Sequence, residues 1–249
     1  KNLKLKWMLS HFSNNEEESF DIQGAYLFGE RDFDRSRSSF GLIVNPLGAG
    51  VFQNFARNQL NIQIQNATHK GSLEKGNHFI QWGHSLERQS INDKLNEWEL
   101  TDSAGYTLPF DPNQLQLTKV IKSKSDLVFF RTTGYVQDNI ILNDSLNMTL
   151  QIGVRYNYNT LNNELLLQPR VQFAIQPLGK KDIVFRAAAG AYHQPPFYRE
   201  LRRYDGTVNE SVKAQKSWQV VAGFDYNFKG WGNRPFKLQA EAYYKHMYD

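Results

Sequence analysis

The stretch from Ser145 to Tyr158, SLNMTLQIGVRYNY, changes character at nearly every residue. Leu146, Met148, Leu150, Ile152, Val154, Tyr156 and Tyr158 form one set; Asn147, Thr149, Gln151, Gly153, Arg155 and Asn157 form the other. On a helix of 3.6 residues per turn this pattern would scatter apolar side chains all round the surface, whereas on a strand it gathers them on one face. Strands in globular domains usually run about 5–6 residues. Leu146 to Tyr158 can extend about 43 Å at 3.3 Å per residue. A strand tilted about 45° through a hydrocarbon layer of about 30 Å needs roughly 42 Å. Two-facedness held over that length predicts a membrane-spanning barrel strand.

The same alternation recurs along the chain. LKLKWML sets Leu3, Leu5, Trp7 and Leu9 against Lys4, Lys6 and Met8, and SFDIQGAYLF carries Phe20, Ile22, Tyr26 and Phe28 on one parity. NQLNIQIQN carries Leu60, Ile62 and Ile64, and HFIQWGHSLE carries Ile80, Trp82 and Leu86. The long run from Leu127 does not resolve into two faces. Three later strands show apolar sets Leu167/Val171/Phe173/Ile175, Ile183/Phe185/Ala187/Ala189/Ala191 and Trp218/Val220/Ala222/Phe224/Tyr226/Phe228. A final strand carries Phe236, Leu238, Ala240, Ala242 and Tyr244. The expectation is an all-β antiparallel segment of about ten long strands.

Charge placement gives the parity meaning. Arg155, Arg170, Arg186, Asp225 and Glu241 all fall on the non-apolar parity. At mid-bilayer an Arg facing lipid would cost about 2–4 kcal/mol, and a one-residue slip would impose such costs along a whole strand. Connections alternate in length: short near Ser13–Glu18, Gly71–Gly76, Asn143–Asp144, Pro177–Lys181 and Lys229–Arg234, longer near Glu30–Asn54, Asp93–Ser125 and His193–Val212, with TLNNE the short exception. Outer-membrane barrels pair short periplasmic turns with long extracellular loops. Under that rule the strand at Leu146 runs outward, with Tyr156, Tyr158 and Tyr244 at the outer interface and Tyr226, Phe228 and Phe236 at the inner one. A soluble β-sandwich, the main rival, gives turn signals every 8–12 residues or so, closer together than in the second half of this chain.

Composition narrows the remaining classes. Mean hydropathy is −0.59, and no run of about 18 apolar residues exists for a transmembrane helix. Average hydropathy does not exclude a barrel, since half of each strand is polar. The absence of cysteine excludes disulfides and thiolate metal sites. The net charge of +4 is dispersed, without the basic stripe that tracks nucleic-acid phosphates. His11, His69, His78, His84, His193 and His246 lack metal-ligand spacing, and no Gly-rich phosphate loop is present, so no cofactor is implied. Glu16–Glu18 reads as a solvated turn, and KNLKLKWML as a strand already under way, without signal-peptide features.

The order of GYVQDNIIL, LNMTLQIGVRYNYN, LLLQPRVQFAIQP and IVFRAAAGAYHQPPFYREL resembles the barrel of TonB-dependent outer-membrane receptors. The carrying residues are Tyr135, Gln137 and Asp138; Gly153, Arg155 and Tyr156; Pro169 and Arg170; and Pro195 and Pro196. KLNEWELTDSAGY and VNESVKAQKSWQVVAGFDYNF resemble large members with a carboxypeptidase-regulatory-like extension. The resemblance implies that residues 1–249 are part of a barrel of about 22 strands, with plug, signal peptide and remaining strands outside the chain. It implies a transport receptor of the Gram-negative outer membrane. The expected partners are membrane lipid, the receptor's own plug, the TonB complex and a small nutrient such as a siderophore, cobalamin, glycan or peptide.

A polar lumen should supply the ligand or plug contacts. The candidates near the outer half are Arg155, Asn157, Gln168, Arg170, Tyr192, Gln219, Tyr243 and Lys245. The cationic and aromatic members favour an anionic or ring-bearing ligand. No catalytic residue is expected. The enzymatic alternative is a small rim protease using Asp32, Asp34 and His193 from outer loops, which requires a positioned acid–base pair. A plug-less assembly or secretion barrel is the other alternative. Phe197 and Tyr198 in HQPPFYREL are expected to pack their loop onto the rim, and Trp98 to anchor a long outer loop.

Overall fold

The computed structural model describes residues 2–103, 106–179 and 181–248. They form one antiparallel meander: β1 (Asn2–Arg31), β2 (Ile43–Lys75), β3 (His78–Ser103), β4 (Tyr106–Leu108), β5 (Lys119–Asn143), β6 (Met148–Asn159), β7 (Glu164–Ile175), β8 (Asp182–Gln194), β9 (Gln215–Lys229) and β10 (Pro235–Tyr248). Neighbours follow chain order from β1 to β10, except that β3 pairs with β5 and the three-residue β4 lies beside β3. Consecutive pairing is what hairpin connections favour. No second sheet covers Leu150 or Phe224, so among the described residues there is no two-layer core. The sandwich alternative is thereby removed.

Tight turns join β2 to β3, β5 to β6, β7 to β8 and β9 to β10 at one end, the turn end. The opposite, loop end carries residues 32–42, 195–214 and the segment between β3 and β5. β6 therefore runs from the turn end to the loop end, as the alternation in connection length predicts.

Strand length corrects the expected layout of the first half. Ser13–Glu18 is not a turn: it lies inside a 30-residue β1 paired without interruption from Asn2↔Glu74 to Phe28↔Gly48. The expected first and second strands are one strand, so Leu3–Leu9 runs toward the loop end rather than away from it. The Glu16–Glu18 charges are carried in the ladder because the facing 33-residue β2 supplies a backbone partner for every residue there. The expected Glu30–Asn54 connection shrinks to residues 32–42, and β3 and β5 extend deep into the expected Asp93–Ser125 connection. At about 3.3 Å per residue, β1 and β2 are each roughly 100 Å long, more than twice what a bilayer crossing needs. In a strand that crosses a bilayer, that excess length would lie beyond it at the loop end.

The register explains why the two faces differ. One face, the outward face, carries Leu3–Leu9 on odd positions, then Ile80, Trp82, Val154, Val171, Phe185, Phe224 and Leu238. Tyr226, Phe228 and Phe236 stack in series at the turn end of this face, with centroid separations of 5.1 and 5.7 Å. Tyr156 and Tyr158 lie on it at the loop end of β6, and Tyr244 packs on Trp218 at 5.2 Å. The opposite, inward face holds a hollow of about 800 Å³. Beyond the apolar band the sense inverts. Phe20, Ile22, Tyr26, Phe28, Leu60, Ile62 and Ile64 lie on the inward face, while Gln59, Asn61 and Gln63 face outward. Outside lipid the outward face meets water, so the apolar set has to turn inward.

The inverted region forms the core. Ile91, Leu95, Ile121 and Phe129 of β3 and β5 are buried with Leu201 of the β8–β9 loop. A short helix, α1 (Tyr198–Leu201), seats that loop against them. Gly206 has φ of +83°, and a Cβ there would lie 2.8 Å from Ile121 Cγ2, so this turn needs glycine both for its backbone and for its approach to β5.

Candidate functional site

The inward face across the hollow is built from hydrogen-bonded rows. One row runs Lys4, Ser72, Gln81, Gln137, Gly153, Arg170, Gly190, Gln219 and Lys245, crossing nine strands. The next row toward the loop end runs Lys6, Lys70, Gly83, Tyr135, Arg155 and Gln168. Neither row contains an acid. Six cations thus share the inward face, Lys70, Arg155 and Arg170 of them lining the hollow, and none of the six has an ion pair among the described residues.

Local contacts fix several of these side chains. Arg170 donates to Gln168 Oε1 at 3.2 Å and lies over the Tyr192 ring at 4.5 Å. Gln137 donates to Gln81 Oε1 at 2.7 Å. The Tyr135 ring rests directly on Gly83, where a Cβ would come within 2.4 Å of it, so glycine makes the bed for an aromatic side chain in this row. Asn157, one row nearer the loop end, is buried with its Oδ1 lacking a hydrogen-bond partner. The turn end differs: Arg186 pairs with Asp225 at 3.0 Å and Glu241 at 3.3 Å, and Lys237 pairs with Asp225 at 3.4 Å. Cations are neutralised there and left open in the middle of the wall. A concave, unneutralised wall focuses a positive potential and offers N–H donors to an anion.

All eight residues singled out from the sequence lie on the inward face. Arg155 and Gln168 are paired neighbours, Gln219 and Lys245 share the long row with Arg170, and Tyr243 lies one row toward the turn end, opposite Val221. Lys4, Lys6, Lys70, Tyr135, Gln81 and Gln137 also lie in the two rows and are not among the lumen candidates read from the sequence. Lys4 and Lys6 show the right parity in the sequence, but only the register shows that they align with Arg155 and Arg170 on distant strands.

Among the described residues, Lys216, beside His193 at the loop end, and Asp138 depart from the charge segregation. Asp138 falls on the outward parity of β5, between Ile80 and Ile152, contrary to the expectation that charges keep to the other side. It lies near the turn end and holds His78 Nδ1 at 2.6 Å, so a partner and a position at the membrane margin offset the exposure to lipid.

The rim-protease alternative loses its geometry. Asp32 accepts from Ser39 Oγ at 2.6 Å and from the Asp34 amide at 2.8 Å. Those bonds hold its carboxyl below the ordinary carboxylate range, so it is an ionised organiser of its own loop. His193 is in β8 rather than an outer loop and bonds the Tyr248 hydroxyl at 3.1 Å on the outward face. Neither Asp32 nor Asp34 has a histidine among its hydrogen-bond partners. Among the described residues no group of three or more His, Cys, Asp or Glu converges as a metal site. Trp98 is part of β3 rather than a loop, stacked on Phe55 at 5.1 Å. Phe197 is exposed, while Tyr198 packs inward and Pro196 is buried.

Antiparallel strands running in chain order, an apolar outward band and a polar hollow wall together describe a section of membrane barrel. No curated protein matches the chain. A family model does match, over residues 2–249, and its description is TonB dependent receptor-like, beta-barrel. A match over that span places the chain in that family: it is barrel wall of a TonB-dependent receptor.

Proposed function

We propose that this chain is part of the wall of an outer-membrane receptor that imports a scarce anionic or ring-bearing nutrient with energy supplied through TonB. Family members are outer-membrane transport receptors, which supports the general role. The observation that carries the finer reading is the acid-free double row, with Lys4, Lys6, Lys70, Arg155, Arg170 and Lys245 free of ion pairs among the described residues and Tyr135 and Tyr192 beside them. Cargo descending from the loop end meets cations and aromatic faces before it reaches the neutralised network at Arg186. The wall binds and orients the cargo and performs no covalent chemistry. The plug, in a part of the receptor outside residues 1–249, would share these contacts.

Siderophore, cobalamin, glycan and peptide cargoes differ in charge, which makes the reading testable. Growth of a strain dependent on the full-length receptor is measured on each nutrient, with and without TonB. The expected result is TonB-dependent growth on an anionic nutrient, with Arg155→Gln/Arg170→Gln raising the half-saturating concentration about tenfold, the scale of one lost charge-assisted contact. Growth independent of TonB on every nutrient, or unchanged in the double variant, would overturn it.

A further inference from the structure

The joint between β7 and β8 is laddered over only half of β7. Pairing runs from Ile175↔Phe185 to Arg170↔Gly190 and stops there, leaving residues 164–169 of β7 and 191–194 of β8 outside the ladder. The joints on either side continue to the loop end, at Asn159↔Glu164 and Gln194↔Gln215. The first β7 residue past the last pair is Pro169, which has no N–H to give a ladder. A side chain spans the opening instead: Gln168 Nε2 donates to the His193 carbonyl at 3.3 Å.

Hollows on the two faces of the wall meet at this opening. Arg170, Val171 and Ala189 line both the inward hollow and an outward one of about 370 Å³. The outward hollow is apolar: Pro169 and Val171 of β7 stand on one side, Trp218 and Val220 of β9 on the other, and Ala189 and Ala191 of β8 make its floor. On the inward side Arg170 lies over the Tyr192 ring at 4.5 Å and has no ion pair among the described residues. An oily crevice and a free cation thus sit back to back, at the place where the backbone ladder between them is missing.

We propose that the β7–β8 joint binds a single-chain amphiphile with an anionic head, of the class of long-chain carboxylates. The head meets Arg170 on the inward face, and the tail passes through the opening beyond Arg170↔Gly190 to lie in the outward hollow beside Trp218 and Val220. Charge selects the head, because the Arg170 guanidinium offers a fork of N–H donors that no carboxylate of the wall occupies. Shape selects the tail: about 370 Å³ is within the range of small-molecule sites, and the outward lining is apolar throughout. At the last laddered pair the strands are about 4.8 Å apart, so the opening beside it admits one chain rather than the two of a phospholipid. The inference shares Arg170 with the cargo reading, but its apolar half lies on the other face and stands whatever nutrient the receptor imports.

The test uses the full-length receptor in lipid nanodiscs and electron spin resonance of stearate labelled near its methyl end, which separates immobilised chains from free ones. Alkaline buffer keeps the stearate head ionised. The methyl ester of the same probe and a phosphatidylglycerol carrying the same label are run in parallel. The parent should hold stearate about tenfold more tightly than the ester. Arg170→Gln should erase that preference, and Ala191→Leu, which fills the outward hollow, should weaken stearate and ester alike. Heat-modifiable migration of each variant on gels verifies that the barrel is intact. The proposal fails if the parent holds stearate and ester equally, if phosphatidylglycerol is immobilised as tightly as stearate, if Arg170→Gln keeps the preference, or if Ala191→Leu leaves stearate binding unmoved. Nutrient growth plays no part in this readout, so failure here and failure of the imported-anion reading are told apart.

Discussion

Tyr198 in the β8–β9 loop donates a 2.7 Å hydrogen bond to the Asp93 carboxylate of β3, across 105 positions of sequence. Arg202 reaches the same carboxylate at 3.2 Å, and Arg199 reaches Glu16 of β1 at 3.4 Å. The loop thus leaves β8, crosses the inward side of β5 and ties down on β3 and β1, closing over the apolar cluster of Ile91, Leu95 and Ile121.

This tie has a pH signature. Burial, followed by the hydrogen bond to Asp93, raises the Tyr198 hydroxyl well above its ordinary value near 10. A group whose folded value is raised stabilises the folded arrangement fully below its unfolded value and loses that contribution as pH climbs past it. The loop should therefore remain docked up to about pH 10 and loosen only in more alkaline solution. Tyr198→Phe should cost the docked state about 1–2 kcal/mol and Asp93→Ala more, because the latter leaves Arg202 without its partner. Amide hydrogen exchange across residues 195–214 reads both effects, and unchanged protection in Asp93→Ala would contradict the assignment.

The connection at residues 32–42 should respond at the other end of the pH scale. Ser39 and the Asp34 amide hold the Asp32 carboxyl below 3.8, and Asp34 is likewise lowered by Ser36. Depressed carboxyls contribute stability above their unfolded value and lose it as pH falls through the folded one. Exchange protection of Gly41, whose amide bonds the Asp32 carbonyl at 2.7 Å, should persist at pH 5 and fall only below the ordinary carboxylate value. Loss of protection already at pH 5 would be inconsistent with this capping.

At the turn end, the pair of His78 and Asp138 on the outward face should behave as a unit. Replacing His78 by Leu leaves a carboxylate facing the membrane margin, at a cost of about 1 kcal/mol. Adding Asp138→Leu should recover that cost, and a double-mutant cycle of denaturant unfolding in lipid measures it. Additive single losses would mean that the 2.6 Å contact does not couple them.

A wall residue tests the inward rows through packing. Gly83→Ala pushes a methyl into the Tyr135 ring and should destabilise the barrel by about 1–3 kcal/mol while displacing that ring from beside Arg155. Pairing the substitution with Tyr135→Ala should relieve the strain. If Gly83→Ala alone is neutral in unfolding experiments, the close approach is not maintained in the membrane.

Much of this was legible in residues 146–248, where each strand spans the bilayer once and the odd–even pattern keeps one sense from end to end. The face of Leu150, the inward set around Arg155 and Arg170, and the turn at Lys229–Arg234 follow from period and turn chemistry alone. The first half misleads for a physical reason. Ser13–Glu18 has the composition of a turn, yet β2 holds it in a ladder, because a hairpin longer than the membrane needs no break where it emerges into water. The same emergence reverses the sense of the alternation, so Leu60, Ile62 and Ile64 look like a lipid-facing set while they face inward. β5 could not be assigned because apolar residues occupy both parities: Leu127 and Phe129 serve the inward core, Val136 and Ile140 the lipid face. Asp93 carries no local signal at all. Its role depends on a loop that begins about a hundred residues later.

The account turns on which side of the wall meets lipid, and that is measured by placing nitroxide labels at Leu150 and Gln151 of the full-length receptor in bilayers. Their collision rates with oxygen, which partitions into lipid, and with a water-soluble nickel chelate give the facing directly. Oxygen should dominate at Leu150 and nickel at Gln151. Nickel dominating at Leu150, or equal accessibility at the two positions, would contradict the outward and inward faces assigned to every strand.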